Sequence, residues 1–429
     1  MRPIPLRRER SATQARESPD RACTTRAPPR EVALRERACQ GLNPPSAAGV
    51  DRVRGGAYQE NLDATLQPLP AQLVTATDRP PAGVRWLIPQ GGGKVRPRGR
   101  PAREDTSGAT AVAMRREAID EQDFDAVSHG VRPGRPPHHA RHEGRQGWLG
   151  SRSGEVMDGD SSAFFAHGEH GTRWAMRHQR VHDGRGRNCI ELWRKAGRLD
   201  GTERGVPDQG SPQGAGLSPV LATAYGHDVL DPGCATVGTA HGRGPGVLAR
   251  DADDGIIGGA LAEDARRIKE VRPQRVATYG LEINADKTQR VACRRPQRPT
   301  SGGPPGTCSV LGLVPEWGQT WRGGYPSPRK PEGKRLRRTV GACGRWCRAN
   351  RHRPHQAQDV SRGAKRRGAS QYDGVRWHSP CRDLGDYGAT RAWRYWLHRR
   401  GGRQRAGRAL GRMRAADVLP RPQVVNGWG

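Results

Sequence analysis

Large apolar side chains are scarce in this chain of 429 residues. It holds only three phenylalanines, and Leu, Ile, Val and Phe together make up about 14% of it, a share typical of chains that stay disordered. The 58 glycines and 35 prolines weaken the case for a large core further. Acidic residues are also in deficit. Against 74 Lys and Arg stand 43 Asp and Glu, for a formal net charge of +31. A field of that sign draws polyanions, so nucleic acid is the default partner; an arginine-rich, unselected composition is the plain alternative. No apolar run approaches the length of a membrane span, so a membrane partner is not expected. Met1 to Arg10 lacks the apolar core of a signal peptide, and Glu9, Glu17 and Asp20 argue against a transit peptide. Nine cysteines show no paired spacing of a secreted disulfide framework, which points to a reducing, cytoplasmic compartment, and the positive charge adds the expectation of a nucleic-acid-associated setting. Cys343 and Cys347 with His352 and His355 come nearest to a zinc site, but their spacing is too short for a ββα finger.

What is present is carboxylate at a bend. Val247-Leu-Ala-Arg-Asp-Ala-Asp-Asp-Gly-Ile-Ile-Gly258 reads as strand, tight turn, strand, with Asp253 and Asp254 at the turn. An Asp-Asp pair alone is more often a solvated turn. A second acidic strand, Glu155-Val-Met-Asp-Gly-Asp160, lies 93 residues before Asp253. Side by side, the two strands would gather Asp160, Asp253 and Asp254 around a pair of divalent ions, as in-line phosphoryl transfer requires.

The remaining segments read in order. Residues 1 to about 30 are expected to form a loose basic arm. Helical spacing runs from Glu31 to Leu66, broken by a loop over residues 43–51. Trp86 to Pro89 is a short strand entering Gln90-Gly-Gly-Gly-Lys-Val-Arg-Pro97, either a phosphate-binding hairpin carrying Lys94 and Arg96 or a flexible basic loop. An amphipathic helix spans Ala109 to Phe124, and another runs from the loop at Ser211 to about Leu230. That loop combines Pro and Gly at a helix N-terminus, a setting that favours an anionic group. Glu263 to Ala277 is helical, with Pro273 expected to kink or shorten it. Residues 296–306 form a linker, and Leu311 to Val314 with the Trp317 to Trp321 region suggests a small hairpin. The last hundred residues are helical and basic. Trp346 and Trp393-Arg-Tyr-Trp-Leu397 suit either RNA stacking or the core of an amphipathic helix.

Taken in sequence, these blocks resemble the reverse transcriptase/maturase proteins of bacterial group II introns, collinearly from about Val32 to Pro422. Ala48-Gly-Val-Asp51 is similar to the family's N-terminal loop. Lys94-Val-Arg-Pro97 and Ser128-His-Gly-Val-Arg-Pro-Gly-Arg135 resemble its fingers blocks. Asp158-Gly-Asp160 with Phe164-Phe165 resembles the first palm block. Ser211-Pro-Gln-Gly-Ala-Gly-Leu-Ser-Pro219 with Tyr225 and His227 resembles the Pro-Gln-Gly block, and Ala252-Asp-Asp254 the Tyr-Ala-Asp-Asp block. Gly280-Leu-Glu-Ile-Asn-Ala-Asp-Lys-Thr288 matches the strand that follows. Cys347-Arg-Ala-Asn-Arg-His-Arg-Pro354 and Leu419-Pro-Arg-Pro-Gln-Val424 match the maturase segment and the C-terminal end.

The resemblance implies an α+β right-hand polymerase: fingers and a palm with an antiparallel sheet, followed by a helical thumb/maturase domain. It divides the chain into a basic arm (1–30), N-terminal extension and fingers (31–150), palm (151–295), linker and hairpin (296–330) and thumb/maturase domain (331–429). It implies two Mg²⁺ ions on Asp160, Asp253 and Asp254. Lys94, Arg96 and Gln213 would border a deoxynucleoside triphosphate, Phe165 would lie under its sugar, and Lys287 would stand near the chemistry. Arg335, Arg337, Arg338, Arg351 and Arg353 would meet the intron RNA. The implied partners are that RNA, an RNA template with a DNA primer, dNTPs and target DNA. No Cys/His-bearing nuclease module is expected after the maturase region, so any DNA cleavage is expected to come from elsewhere. The chain also departs from the family. Asp251 replaces an aromatic beside the metal pair, where it is expected to compete for the ions. Ala166 and Gly168 depart after Phe165, Asp105 to Thr110 occupy an expected apolar helix face, and Gly226 interrupts a helix. These changes point to a decayed copy whose carboxylates persist while its core has eroded. An RNA-binding maturase without polymerase activity, or a remnant, is the alternative.

Overall fold

The computed structural model describes residues 4–18, 32–43, 46–62, 80–91, 93–150, 155–162, 184–201, 203–205, 216–236, 246–252, 254–259, 261–279, 281–283, 288–292, 313–315, 329–331, 333–373 and 379–399, in some helices and strands by backbone alone. The chain divides into two compact units, Met1–Arg290 and Val291–Gly429.

The first unit is built around one helix, α4 (Arg103–Asp120). Its polar residues do not break it because their hydroxyls bond back to the preceding turn: Thr106 donates to the Ala102 carbonyl at 2.9 Å and Thr110 to that of Thr106 at 2.8 Å. Its small residues let other helices approach closely. Ala111 meets Leu34 and Ala38 of α2 (Val32–Gly41). Ala109, Val112 and Ala113 meet Leu217, Val220 and Leu221 of α7 (Leu217–Thr236), with Ile190 and Trp193 of α6 (Gly184–Lys195) packed alongside. A Cβ on Gly108 would fall 2.9 Å from the Arg35 guanidinium and 3.0 Å from the Trp193 ring, so glycine is what admits both. The helix therefore begins at Arg103 and runs through the stretch Asp105 to Thr110. Alanine, glycine and serine contacts replace the apolar face expected there.

The N-terminal segment differs from the loose arm read in the sequence. Ile4–Glu17 is a helix, α1, and Ala15 packs with Ile119 of α4. Arg, Gln, Glu and Ala are good helix formers, and a tertiary contact supplies what propensity alone does not. A short helix, α3 (Gly55–Glu60), follows α2.

Two sheets belong to this unit. In the first, β1 (Gly83–Gly91) and β2 (Lys94–Arg100) form an antiparallel hairpin; β4 (Arg198–Asp200) adds parallel to β1, and β5 (Glu203–Gly205) pairs with β4. In the second, β6 (Gly246–Asp251), β7 (Asp254–Gly259), β3 (Glu155–Ser162) and β8 (Glu282–Ile283) are neighbours in that order, all antiparallel, and β9 (Gln289–Ala292) also pairs with β3. Two further helices, α5 (Pro137–Gly150) and α8 (Ala262–Thr278), lie in the same unit. Pro273 does not shorten α8, which continues through it to Thr278. Its C-terminal half is held by Val276, buried among Ala222, Tyr225, Val229 and Leu230, and by Arg275 Nε donating to the Val229 carbonyl at 2.6 Å.

In the second unit β10 (Leu313–Pro315) pairs with β11 (Arg329–Pro331). The hairpin partner is thus a later segment than Trp317 to Trp321, which lie outside the described residues. Three helices follow: α9 (Gly333–Ala349), α10 (His355–Asp373) and α11 (Ser379–His398). Cys347, Trp393 and Leu397 form their core, with Cys343, Trp346 and Trp396 partly buried against it. Trp393 thus follows the core reading, while Trp346 and Trp396 are partly covered. Gly385 and Gly388 bring α11 against Leu336 and Val340, where a Cβ on either would lie 3.0 Å away.

One amide joins the three helices. Gln358 Oε1 accepts from Trp393 Nε1 at 2.9 Å, and its Nε2 donates to the carbonyls of Asn350, Arg351 and Arg353 just past α9. Arg362, buried below, lies 3.8 Å from the Trp393 ring centroid. Gln358→Ala strands the indole N–H and those carbonyls, and is expected to cost about 1–3 kcal/mol. Thermal unfolding followed by far-UV circular dichroism checks it.

Candidate active site at the Asp-Asp hairpin

The β6–β7 hairpin closes on Asp251 paired with Asp254, and β3 on the other side of β7 pairs Asp160 with Asp254. Positions 160, 254 and 251 therefore stand in one row across three strands. Cβ atoms of directly opposite residues lie about 4.5–5.5 Å apart, a spacing one cation can bridge. Asp253, the next residue in the turn, lies outside the described residues. Ala252, the first turn residue, has φ 61°, in the left-handed region that tight hairpin turns use and that costs a non-glycine residue about 1–2 kcal/mol.

What holds this turn is Arg250. Its side chain is fully buried, and its carboxylate partner Asp231 on α7 is too. Arg250 Nε donates to Asp231 Oδ1 at 2.7 Å and Nη2 to Oδ2 at 2.8 Å, a two-pronged pair. Nη2 also reaches Ser128 Oγ at 2.6 Å, and Nη1 reaches the Ala252 carbonyl at 3.2 Å. A Cβ on Gly226 would fall 2.8 Å from Nη1, so the glycine that interrupts α7 is what makes room for the guanidinium. The backbone adds to the grip. Arg250 N–H donates to the Val127 carbonyl and His129 N–H to that of Arg250, both at 2.8 Å, so residues 127–129 run alongside β6. Gly130 then passes so close that a Cβ would lie 2.1 Å from Ala252 N and 2.6 Å from Asp251 Oδ1. Asp251 thus has one carboxylate oxygen against this loop. Arg132 ties the loop back, with Nε and Nη2 on Glu121 and Nη1 on the carbonyls of Asp125 and Ser128.

Burial alone would raise the Asp231 carboxyl, but hydrogen bonds from Arg250 and His227 outweigh it and hold the pKa below its ordinary value. For His227, burial is likewise overridden by Asp231, whose Oδ2 lies 3.0 Å from Nδ1, and its pKa is raised. Burial pushes Asp228 up to about 6, against the pull of His227 and Arg116, with the repulsion of Asp120 adding to the rise. Asp125, His227 and Asp231 come within 4.8 Å of one another and form the described grouping that could ligate a metal. Both Asp231 oxygens are already engaged by Arg250, however, so this trio is an ion-paired brace and a poor cation site. By register, the row at positions 160, 254 and 251 brings three aspartates to neighbouring places on the sheet.

Other residues singled out in the sequence fall as follows. Lys94 and Arg96 lie on β2, opposite Gly91 and Ile88. Phe165, Gln213 and Lys287 lie outside the described residues, as do Ala166 and Gly168. Arg337 and Arg338 are exposed on α9, which also carries Arg335, and Arg351 and Arg353 lie in the turn after it. Cys343, Cys347, His352 and His355 do not converge as metal ligands among the described residues: Cys343 is hydrogen-bonded to Cys347, which holds its thiol near 7, and His355 stacks edge-on against Trp393 at 5.4 Å. Sequence reading missed Arg250 and Asp231. The available signals were an arginine inside an otherwise apolar strand and an aspartate one helical turn after His227.

Arg250→Met leaves Asp231 buried without its cation and is expected to destabilise the chain by about 3–5 kcal/mol, whereas adding Asp231→Leu should recover most of the loss. Urea denaturation of the two variants checks this. Asp228 gives a pH test. Its pKa rises from 3.8 unfolded to about 6 folded, so the folded chain holds an extra proton between those values and stability falls as pH rises through that window. Asp228→Asn should therefore raise Tm above pH 7, with the gain vanishing near pH 4.

No protein-family profile matches the chain. Over 184 residues it is 33% identical to protein YkfC of Escherichia coli strain K12, covering 41% of this chain and 46% of that protein. Over 136 residues it is 33% identical to the group II intron-encoded protein LtrA of Lactococcus lactis subsp. cremoris, covering 32% of this chain and 22% of LtrA. The chain thus spans less than half the length of either relative. Over that shared part it is related to a group II intron-encoded protein.

Proposed function

We propose that the chain is an RNA-directed DNA polymerase of the group II intron type that also binds its intron RNA as a maturase. It would be built as a right hand: fingers, a palm carrying the Asp-Asp hairpin, and a helical thumb. The observation that supports this reading most is the register of Asp160 against Asp254 across β3 and β7, beside the Asp253-Asp254 turn. The partial similarity to LtrA agrees with it.

Asp160, Asp253 and Asp254 are the residues that would hold Mg²⁺, and oxygen-only donors suit that ion. Bound there, two such ions supply charge for activating the primer 3′-hydroxyl and for stabilising the departing pyrophosphate. Arg250 keeps the hairpin in place without touching substrate. Lys94, Arg96 and Gln213 bind the triphosphate, and their charge and donors oppose the negative charge that develops there. By the resemblance, Phe165 would exclude a 2′-hydroxyl and Lys287 would act near the reacting groups. On the helical unit, Arg335, Arg337, Arg338, Arg351 and Arg353 engage intron RNA phosphates, a contact that weakens as salt rises.

A second reading, RNA binding without polymerisation, has its own support. Arg35 is buried beneath α4 with Nε and Nη1 lacking hydrogen-bond partners, a cost that agrees with a weakened core. Primer extension on an RNA template with Mg²⁺ separates the two. The natural chain should incorporate dNTPs and Asp253→Ala should lose about 100-fold or more. Equal incorporation by both proteins would remove the polymerase reading, and salt-sensitive binding of a group II intron transcript without incorporation would favour the second.

A further inference from the structure

The helical unit holds two cysteines on one face of α9. Cys343 and Cys347 stand four residues apart, so successive turns of the helix set them one above the other. Cys347 is buried and packs with Trp393 and Leu397, while Cys343 lies against that cluster with part of its surface in solvent. The two thiols are hydrogen-bonded to each other, Cys347 S–H donating to Cys343 Sγ. The charges that act on Cys343 are both positive and both come from α10: Arg362 and Lys365. Lys365 Nζ reaches back over α9, 5.6 Å from the Trp346 ring centroid. Arg362 is buried; its Nη2 is paired with Asp359 Oδ1 at 2.9 Å, and its Nε has no hydrogen-bond partner. From α11 the cluster takes Trp393, Trp396 and Leu397, none of which titrates.

These surroundings make the two thiols unequal. The hydrogen bond from Cys347, then Arg362 and Lys365, outweigh burial and bring the Cys343 thiol down to about 7, so that much of it is thiolate at neutral pH. For Cys347 the same hydrogen bond, burial and the neighbouring sulfur's charge all push the thiol up. Two of those three causes vanish once Cys343 ceases to be an anion. Cys39 gives the contrast within the same chain: it is buried, and burial raises its thiol.

A solvent-reachable thiolate with a second thiol in contact is the arrangement that peroxides oxidise and a neighbour then resolves. We propose that Cys343 and Cys347 are a site of reversible oxidation, Cys343 reacting with a hydroperoxide and Cys347 resolving the product into a disulfide across one turn of α9. With hydrogen peroxide, Cys343 Sγ attacks one oxygen: an S–O bond forms, the O–O bond breaks, and the departing hydroxide takes a proton from solvent as water. The sulfur, oxidised by two electrons, is now a sulfenic acid. Cys347 Sγ attacks it, the S–S bond forms, the S–O bond breaks, and the second hydroxide leaves as water with the Cys347 proton. Cβ atoms four apart on a helix lie about 5–6 Å from each other, whereas a disulfide holds them about 3.5–4.5 Å apart. Closing the bond therefore distorts the end of α9, just before the Asn350 and Arg351 carbonyls that Gln358 binds. The oxidised chain is looser where its three helices join, and a small thiol reopens the strained bond. The site does not depend on the polymerase reading, because nothing in it requires a metal or the Asp253-Asp254 turn.

Treatment of the full chain with hydrogen peroxide, followed by peptide mapping, tests it independently of catalysis. Trypsin cuts after Arg338, Arg345 and Arg348, which puts Cys343 on Thr339–Arg345 and Cys347 on Trp346–Arg348. The proposed bond therefore appears as these two peptides linked, and dithiothreitol separates them. At pH 7 Cys343 should react about tenfold faster than Cys39, or more. Its rate should climb with pH, pass half its maximum near pH 7 and level off above. Lys365→Gln, at an exposed position, should move that midpoint upward. Cys347→Ser should stop the reaction at the sulfenic acid, which dimedone traps on Cys343. Equal reactivity of Cys343 and Cys39 in the natural chain, or conversion of Cys343 to a sulfinic acid without the linked peptides, overturns the proposal.

Discussion

A buried arginine that must not be left unpaired organises the centre of the first unit. Arg250 takes acceptors from α7, from the loop before Arg132 and from the hairpin turn itself, and a charge without those partners would cost several kcal/mol. The penalty for leaving it unpaired makes the pairing a register lock. If β6 slipped by one residue, Arg250 would face the other side of the sheet and lose all three sets of partners. The aspartate row is therefore held by a residue that takes no part in it, and Gly130 and Gly226 are the two positions whose lack of a Cβ lets the lock close.

The same device recurs where apolar side chains are few. Arg132 gathers Glu121 and two carbonyls, Arg275 reaches the carbonyl of Val229, and Gln358 with Arg362 surrounds Trp393. Elsewhere alanine is the commonest buried apolar residue among those described, with helices drawn close enough for small side chains to touch. Such a core buries little apolar area per residue and relies on geometry to satisfy its polar groups. Its weakness lies where the geometry fails, as at Arg35 and at Asp228, whose burial near Asp120 pushes its carboxyl towards neutrality.

The strand-turn-strand character of residues 247–258 was readable because β-branched and aliphatic residues flank a short polar turn, and the hairpin at Trp86 for the same reason. Helix α1 was not readable, since a stretch so rich in arginine shows no apolar face and is held by distant contacts such as Ala15 meeting Ile119 and Arg16 reaching Gln122. Nor was the course of α8, where a proline that ends isolated helices is tolerated once Val276 and Arg275 anchor the segment. Trp346 and Trp393 could equally have met bases or a core, because a period of 3.6 looks the same in both cases; packing against α9 and α10 put Trp393 inside.

By itself, the sequence determined the charge of the molecule, the position of its acidic turns along the chain and the order of blocks that resembles intron-encoded proteins, all of which are local properties of residues and spacing. Only the tertiary structure decided that Asp160 stands opposite Asp254, that Arg250 and Asp231 brace the turn from 19 positions apart, and that α10 brings Arg362 and Lys365 to act on the Cys343 thiol. Those are relations between distant segments, set by strand register and by where buried charges find partners, and no pattern along one stretch of chain encodes them.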